Sequence, residues 1–133
     1  MRTKRWNDPV DPDDGLRILI CRFRPRGVSA SEATWSAWCP ALAPSKRLHA
    51  DAYGKAGAPI AFEEYERRFL GEMRAQQFWL DGFAKNLVAG ETITLLCSSA
   101  CVDEARCHRR LVRRLLEEAA RKLGEPAVSV IRR

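Results

Sequence analysis

Between Thr94 and Leu116 the chain reads TLLCSSACVDEARCHRRLVRRLL. Cys97, Cys101 and Cys107 supply thiols, and Arg106, Arg109, Arg110, Arg113 and Arg114 supply cations. His108 supplies a proton carrier that titrates near neutrality. Such a set suits three chemistries: metal coordination, attack by a thiolate, and capture of an anion. The spacing C-x3-C-x5-C-H does not suit zinc, which favours paired close spacings such as C-x2-C. If Cys107 and His108 are neighbours on a helix, their side chains diverge by about 100°. We therefore expect no metal site and no cofactor. For a thiol-dependent enzyme or redox sensor, Cys101 is the first candidate because a loop cysteine is exposed, and Cys97 is the second. CVDEAR has the outer residues of a C-x4-R loop, but its two acids would repel an anion and it lacks glycine for close backbone approach.

A second cationic group lies in CRFRPRG, residues 21–27. Arg22, Arg24 and Arg26 alternate, and Pro25 biases Arg24 toward extended backbone. An extended run would turn the three guanidiniums to one side, where they suit bidentate capture of phosphate or carboxylate. The competing expectation is ion pairing with Asp13, Asp14 or Glu32. The candidate anion-binding residues are thus Arg22, Arg24, Arg26, Gly27, Arg109 and Ser45, with His108 as proton carrier. The ligand class this favours is an anionic small molecule or nucleic acid bearing phosphate. A basic protein-interaction module meeting an acidic partner through the arginine-rich helix is a third reading.

These residues need elements to hold them. LRILIC at 16–21 and TITLLC at 92–97 are short apolar runs bounded by turn residues, and they read as buried strands. Segment 2–7 reads as a short edge strand, and AVSVI at 127–131 as a further core strand. Phe62, Tyr65, Phe69 and Met73 recur at helical spacing, as do Leu80, Phe83, Leu87 and Val88 before Gly90. A long helix is expected from about Asp103 to Leu123 with an apolar stripe that includes Cys107, Leu111, Val112 and Leu115. Ser31 is expected to cap a short helix carrying Trp35 and Trp38, with Trp38 in the core, and 46–59 is expected to be irregular. Strands alternating with helices give an α/β fold: a single compact domain over 1–133, a small mostly parallel sheet flanked by helices. Ligands of such sheets bind at the carboxyl edge, where the two arginine groups would meet.

The 133 residues are 46% hydrophobic and 30% charged, ordinary for a globular domain with its own core. A net charge of +6, with 18 Arg against 5 Lys, favours anionic partners. No apolar run reaches the roughly 20 residues of a membrane span, and the start lacks a signal peptide. The chain reads as cytoplasmic, with no membrane partner, and five cysteines without an export signal read as reduced thiols.

Several motifs together resemble the YeaO-like family of uncharacterised proteins, a domain of unknown function numbered DUF 488. The matching stretches are Lys4–Pro9, Asp14–Ile20, Arg22-Phe23-Arg24-Pro25-Arg26-Gly27 for the family's RxWPRG, Trp38 with Leu42–Ser45, the aromatic helix at 62–70, and Cys107-His108-Arg109. The resemblance implies a compact α/β fold and adds Pro25, Trp38 and Pro44 as candidate residues. It implies no particular reaction. Cys21 stands where the family pattern has Asp, and Arg24 where it has Trp.

Overall fold

The computed structural model describes residues 1–55 and 57–124. Strands β1 (Arg2–Arg5), β2 (Leu16–Leu19), β3 (Ala37–Trp38) and β4 (Ile93–Cys97) form one sheet. The order is β1-β4-β2-β3, and every pairing is parallel. Helices α1 (Lys46–Ala52), α2 (Phe62–Met73) and α3 (Gln77–Val88) connect β3 to β4, and α4 (His108–Leu123) follows β4. Short 3-10 turns occupy Pro12–Asp14, Pro40–Leu42, Arg74–Gln76 and Glu104–Arg106. No helix among the described residues is long and apolar enough to cross a membrane. The strand expected at 127–131 lies outside the described residues.

β4 sits between β1 and β2, which is why all five of its residues are buried and none needs to be polar for solvent. The alternation of side chains divides the sheet. Ile18, Ile20, Ile93 and Leu95 face the helices and pack with Tyr65, Phe69, Met73, Leu80, Leu111, Val112 and Leu116. Leu19, Cys21 and Leu96 belong to a second cluster, roofed by Trp6 and Trp35. Phe69 and Leu116 are wholly buried, and each such side chain contributes roughly 1.5–3 kcal/mol by leaving water.

The amino end of the sheet is tied by one carboxylate. Asp14 is 1% exposed and accepts from Arg2 (3.0 Å), Lys4 (2.9 Å) and Arg17. Its backbone carbonyl accepts from Thr94 Oγ1 at 2.8 Å. β1, β2 and β4 thus share one anchor. Next to it Gly15 has φ +64, and a Cβ there would collide with the Thr92 carbonyl, which accepts from the Leu16 amide at 2.9 Å. Only glycine allows that approach.

Four expectations need correction. No helix follows Ser31: Glu32 accepts from the Ser29 amide (3.1 Å) and hydroxyl (2.8 Å), closing a tight turn. Arg17 Nε then holds the Thr34 carbonyl (2.6 Å), so the chain runs on as β3 beside β2. Trp38 is 42% exposed, not in the core, and its indole N–H donates to the Cys21 carbonyl at 2.9 Å. Residues 46–52, expected irregular, are α1, because Ser45 Oγ accepts from the Leu48 amide at 3.1 Å and Leu48 is fully buried. Finally, α4 begins at His108, not Asp103; Asp103 caps the 3-10 turn before it, accepting from the Ala105 amide at 3.1 Å.

Burial acts to raise the pKa of Asp14, but hydrogen bonds from Lys4, the Asp11 amide and Arg17 outweigh it and hold the carboxyl well below the usual carboxylate range. Its contribution is therefore complete above the unfolded value of about 3.9 and is lost as pH falls below that. Asp14→Asn is expected to destabilise the fold by about 3 kcal/mol, measured by urea unfolding at neutral pH, because it leaves the buried Arg17 without its carboxylate. Its stability should also fall less between pH 5 and 3 than that of the parent; equal slopes would show that Asp14 is not the acid-sensitive anchor.

Candidate functional site at the carboxyl edge of the sheet

Because β2 and β4 are adjacent and parallel, their carboxyl ends open together. Cys97 ends β4, and Cys21 lies just past β2, after Ile20, whose amide still bonds the Leu96 carbonyl at 3.0 Å. The chain then turns through Ser98–Cys101 and the 3-10 turn and returns at Cys107. Cys107 is the N-cap of α4, with extended backbone at φ −117 and ψ 146. The divergence expected of neighbours on a helix therefore does not apply, and Cys107 and His108 both reach the end of the sheet.

There the His108 ring is 7% exposed. Its Nε2 lies 2.6 Å from the Ile20 carbonyl oxygen, which only accepts, so Nε2 carries the proton. Nδ1 faces two sulfurs, 3.9 Å from Cys97 and 3.8 Å from Cys107. The Cys97 and Cys107 sulfurs are 3.3 Å apart. Cys107 is paired with Cys101 as a disulfide, with Cα atoms 6.6 Å apart, contrary to the expectation that every thiol is reduced. Cys101, Cys107 and Cys97 sulfurs all lie within 4.8 Å of one another. With Cys101 and Cys107 reduced, the three sulfurs are close enough to share a metal ion, so the divergence argument against a metal site does not hold here.

The electrostatics follow from the geometry. The Cys21 thiol donates to Cys97, and this with the attraction of His108 places Cys97 well below the usual thiol range despite burial. Cys21, bonded to that thiolate and buried, is pushed up. Burial lowers the pKa of His108, but the Cys97 charge, its hydrogen bond and the Ile20 carbonyl reverse the shift and raise it. The two shifts support each other: a charged His108 lowers Cys97, and a Cys97 thiolate raises His108.

A cavity of about 460 Å³ opens over this centre. Its walls carry the rings of Phe23, His49, Tyr53, Phe62 and Tyr65, and its cations are Arg22 and Arg106. Arg106 lies over the Phe62 ring at 5.5 Å. Of the expected residues, His108, Cys101, Cys97 and Arg22 line it. Arg22 is partly committed, donating through Nε to the Pro44 carbonyl (2.8 Å) and through Nη2 to the Ala43 carbonyl (3.4 Å).

Pro44 lines it as well, whereas Arg24, Arg26, Gly27, Arg109 and Ser45 do not. Arg24 donates to the Val28 carbonyl (2.8 Å) and lies over Trp35. Arg26 and Gly27 sit in an exposed turn, with Gly27 at φ 72. Arg109 is 6% exposed and donates to the Cys101 carbonyl at 3.4 Å. Ser45 donates its hydroxyl to Glu72 at 2.5 Å. The shared arginine cleft expected from 22–26 and 109 is therefore replaced by Arg22 and Arg106. In the sequence Cys21 ends the expected strand at 16–21 and departs from the family pattern; its place beyond a strand parallel to β4 is the signal that it meets Cys97. The aromatic wall from α1 and α2 has no such signal, since those rings also fit a core stripe.

A parallel α/β domain with a buried cysteine–histidine pair at the carboxyl edge is the class that fold and site define. The chain belongs to the YeaO-like DUF488 family: the family model described as the active DUF488-N3 subclade matches residues 1–120. An uncharacterized protein of Mycobacterium tuberculosis and one of Mycobacterium bovis are each 33% identical over 73 residues, 55% of this chain and 59% of theirs. The uncharacterized protein YeaO of Escherichia coli is 27% identical over 73 residues, 55% of this chain and 61% of its own. The chain spans about three-fifths of the length of the curated relatives it matches. No solved structure matches it.

In Cys101→Ser/Cys107→Ser protein, the ultraviolet absorbance of the Cys97 thiolate should appear below the ordinary thiol range of about 8.5. His108→Gln should move that step to higher pH. A thiol that ionises only in the ordinary range in both proteins would contradict the pair.

Proposed function

We propose that the protein is a thiol-dependent enzyme in which Cys97 is the nucleophile and His108 its proton partner. The observation that carries the reading is the orientation of His108. Its Nε2 is committed to the Ile20 carbonyl, which leaves Nδ1 to exchange a proton with sulfur and nothing else at hydrogen-bonding distance. A structural histidine would need no such alignment with two thiols. The description of the matching family model as an active subclade supports an enzymatic role.

The substrate would enter the cavity over Cys97, where ring-bearing walls favour a planar or apolar portion and Arg22 and Arg106 favour an anionic one. This keeps the phosphate-bearing ligand expected from the charge of the chain, with two cavity arginines as its partners. Capture of an anion without chemistry is a second reading, favoured by the net charge of +6 and by these two cavity arginines.

Iodoacetamide at neutral pH should label Cys97 in the reduced protein well before the buried Cys39, and peptide mass mapping reads the order. Inorganic phosphate or a nucleoside monophosphate should slow that labelling, and Arg106→Ala should weaken the protection roughly tenfold, the worth of one charge-assisted contact. Uniformly slow labelling of the cysteines would sink the enzyme reading; protection alone, with no selective thiol, would favour anion capture.

A further inference from the structure

Four sulfurs run inward from the rim of the cavity. Cys101 lies on the partly exposed loop after β4 and is bonded to Cys107. Cys107, 5% exposed, is 3.3 Å from Cys97, and Cys97 accepts from Cys21. A lone nucleophile needs no such company: the Cys97, Cys101 and Cys107 sulfurs all lie within 4.8 Å of one another, which gives Cys107 two possible sulfur partners. We propose that the centre is a three-cysteine thiol–disulfide relay, with Cys101 as the entry thiol, Cys107 as the shared sulfur and Cys97 as the inner thiolate, acting on a disulfide substrate. This goes beyond the thiol reading above and rests on its Cys97 nucleophile, whose target in the relay is the Cys107 sulfur and not the substrate itself.

The steps balance. In the reduced protein Cys101 attacks a substrate disulfide, forming a mixed disulfide and releasing the first substrate thiolate. Cys107 attacks the Cys101 sulfur and displaces the second substrate thiolate, giving the Cys101–Cys107 disulfide present in this structure. Cys97 then attacks Cys107; the Cys97–Cys107 bond forms, the Cys101–Cys107 bond breaks, and Cys101 leaves as a thiolate ready for protonation. The substrate has gained two electrons and become two thiols, while the Cys97/Cys107 dithiol has become a disulfide. A substrate dithiol drives the same steps in reverse. His108 Nδ1, 3.9 Å from Cys97 and 3.8 Å from Cys107, lies where the proton of either sulfur can be held. Cys21 stays a protonated donor to Cys97 and takes no part in bond exchange.

The division of labour follows position. Cys101 is the one member of the relay that bulky substrates can reach, because Cys97 and Cys107 are each only 5% exposed. The inner exchange seals the oxidised state against external thiols, since the product disulfide lies beneath the loop. Arg109, whose Nη2 donates to the Cys101 carbonyl at 3.4 Å, fixes the loop that carries the entry thiol.

The full-length reduced protein is treated with oxidised glutathione as the probe disulfide, quenched with acid and mapped by non-reducing peptide mass spectrometry. The relay predicts both Cys101–Cys107 and Cys97–Cys107 disulfides in the wild type, only the first in Cys97→Ser, and loss of most glutathione turnover in Cys101→Ser. Cys101→Ser alters a partly exposed loop residue, so it tests the relay even if Cys97→Ser does not fold. A wild-type protein that never forms Cys97–Cys107, or one that is isolated with one tightly held zinc per chain, overturns the relay. If Cys97 nevertheless alkylates fast in that wild type, the relay alone has failed; if Cys97 is inert, the nucleophile reading has failed with it.

Discussion

The hydrogen bond from His108 Nε2 to the Ile20 carbonyl is the contact on which the site depends. It joins the first residue of α4 to the end of β2, across the end of β4. A backbone carbonyl cannot donate, so the bond fixes the tautomer as well as the ring position. With Nε2 protonated, Nδ1 is the one ring atom left for proton exchange, and it faces Cys97 and Cys107. Edge contact with Phe69, at 5.6 Å between centroids, closes the helix side of the ring. Burial alone would disfavour imidazolium; the neighbouring thiolate is what sustains it, so each charge of the pair depends on the other.

That bond in turn needs the sheet to hold register at its other end. Asp14 draws β1 and β2 together through Arg2, Lys4 and Arg17, and its carbonyl holds Thr94 of β4. With Arg17 paired to Thr94 and Leu19 to Leu96, Ile20 arrives level with the end of β4. The two ends of the sheet thus have opposite chemistries. The amino end is a buried ionic anchor, and the carboxyl end is a cluster of sulfur and imidazole under an aromatic-walled cavity. A slip of one residue between β2 and β4 would send Cys97 to the wrong face and separate it from His108.

The architecture was legible where local pattern and burial agree. LRILIC and ITLLC read as buried strands because both lie in the middle of the sheet, and their parallel order points to the carboxyl edge as the place for a candidate site. α1 and β3 were not legible. α1 rests on one cap and one buried leucine, and β3 is two residues held by Arg17 and the edge of β2. The arginines misled for a related reason. Charge repulsion argued for a shared external anion, but Arg22, Arg24 and Arg109 each donate to backbone carbonyls, acceptors that every residue carries and no sequence pattern marks. The decisive detail at Cys107 was equally hidden: helical periodicity runs through the position, while the backbone breaks there.

The most direct test of this account is heteronuclear NMR of the His108 ring nitrogens in the reduced protein across the folded pH range. The account predicts that Nε2 remains protonated throughout, and that Nδ1 keeps its proton beyond the ordinary histidine range while Cys97 is a thiolate. A neutral ring with the proton on Nδ1 and a bare Nε2 would contradict it.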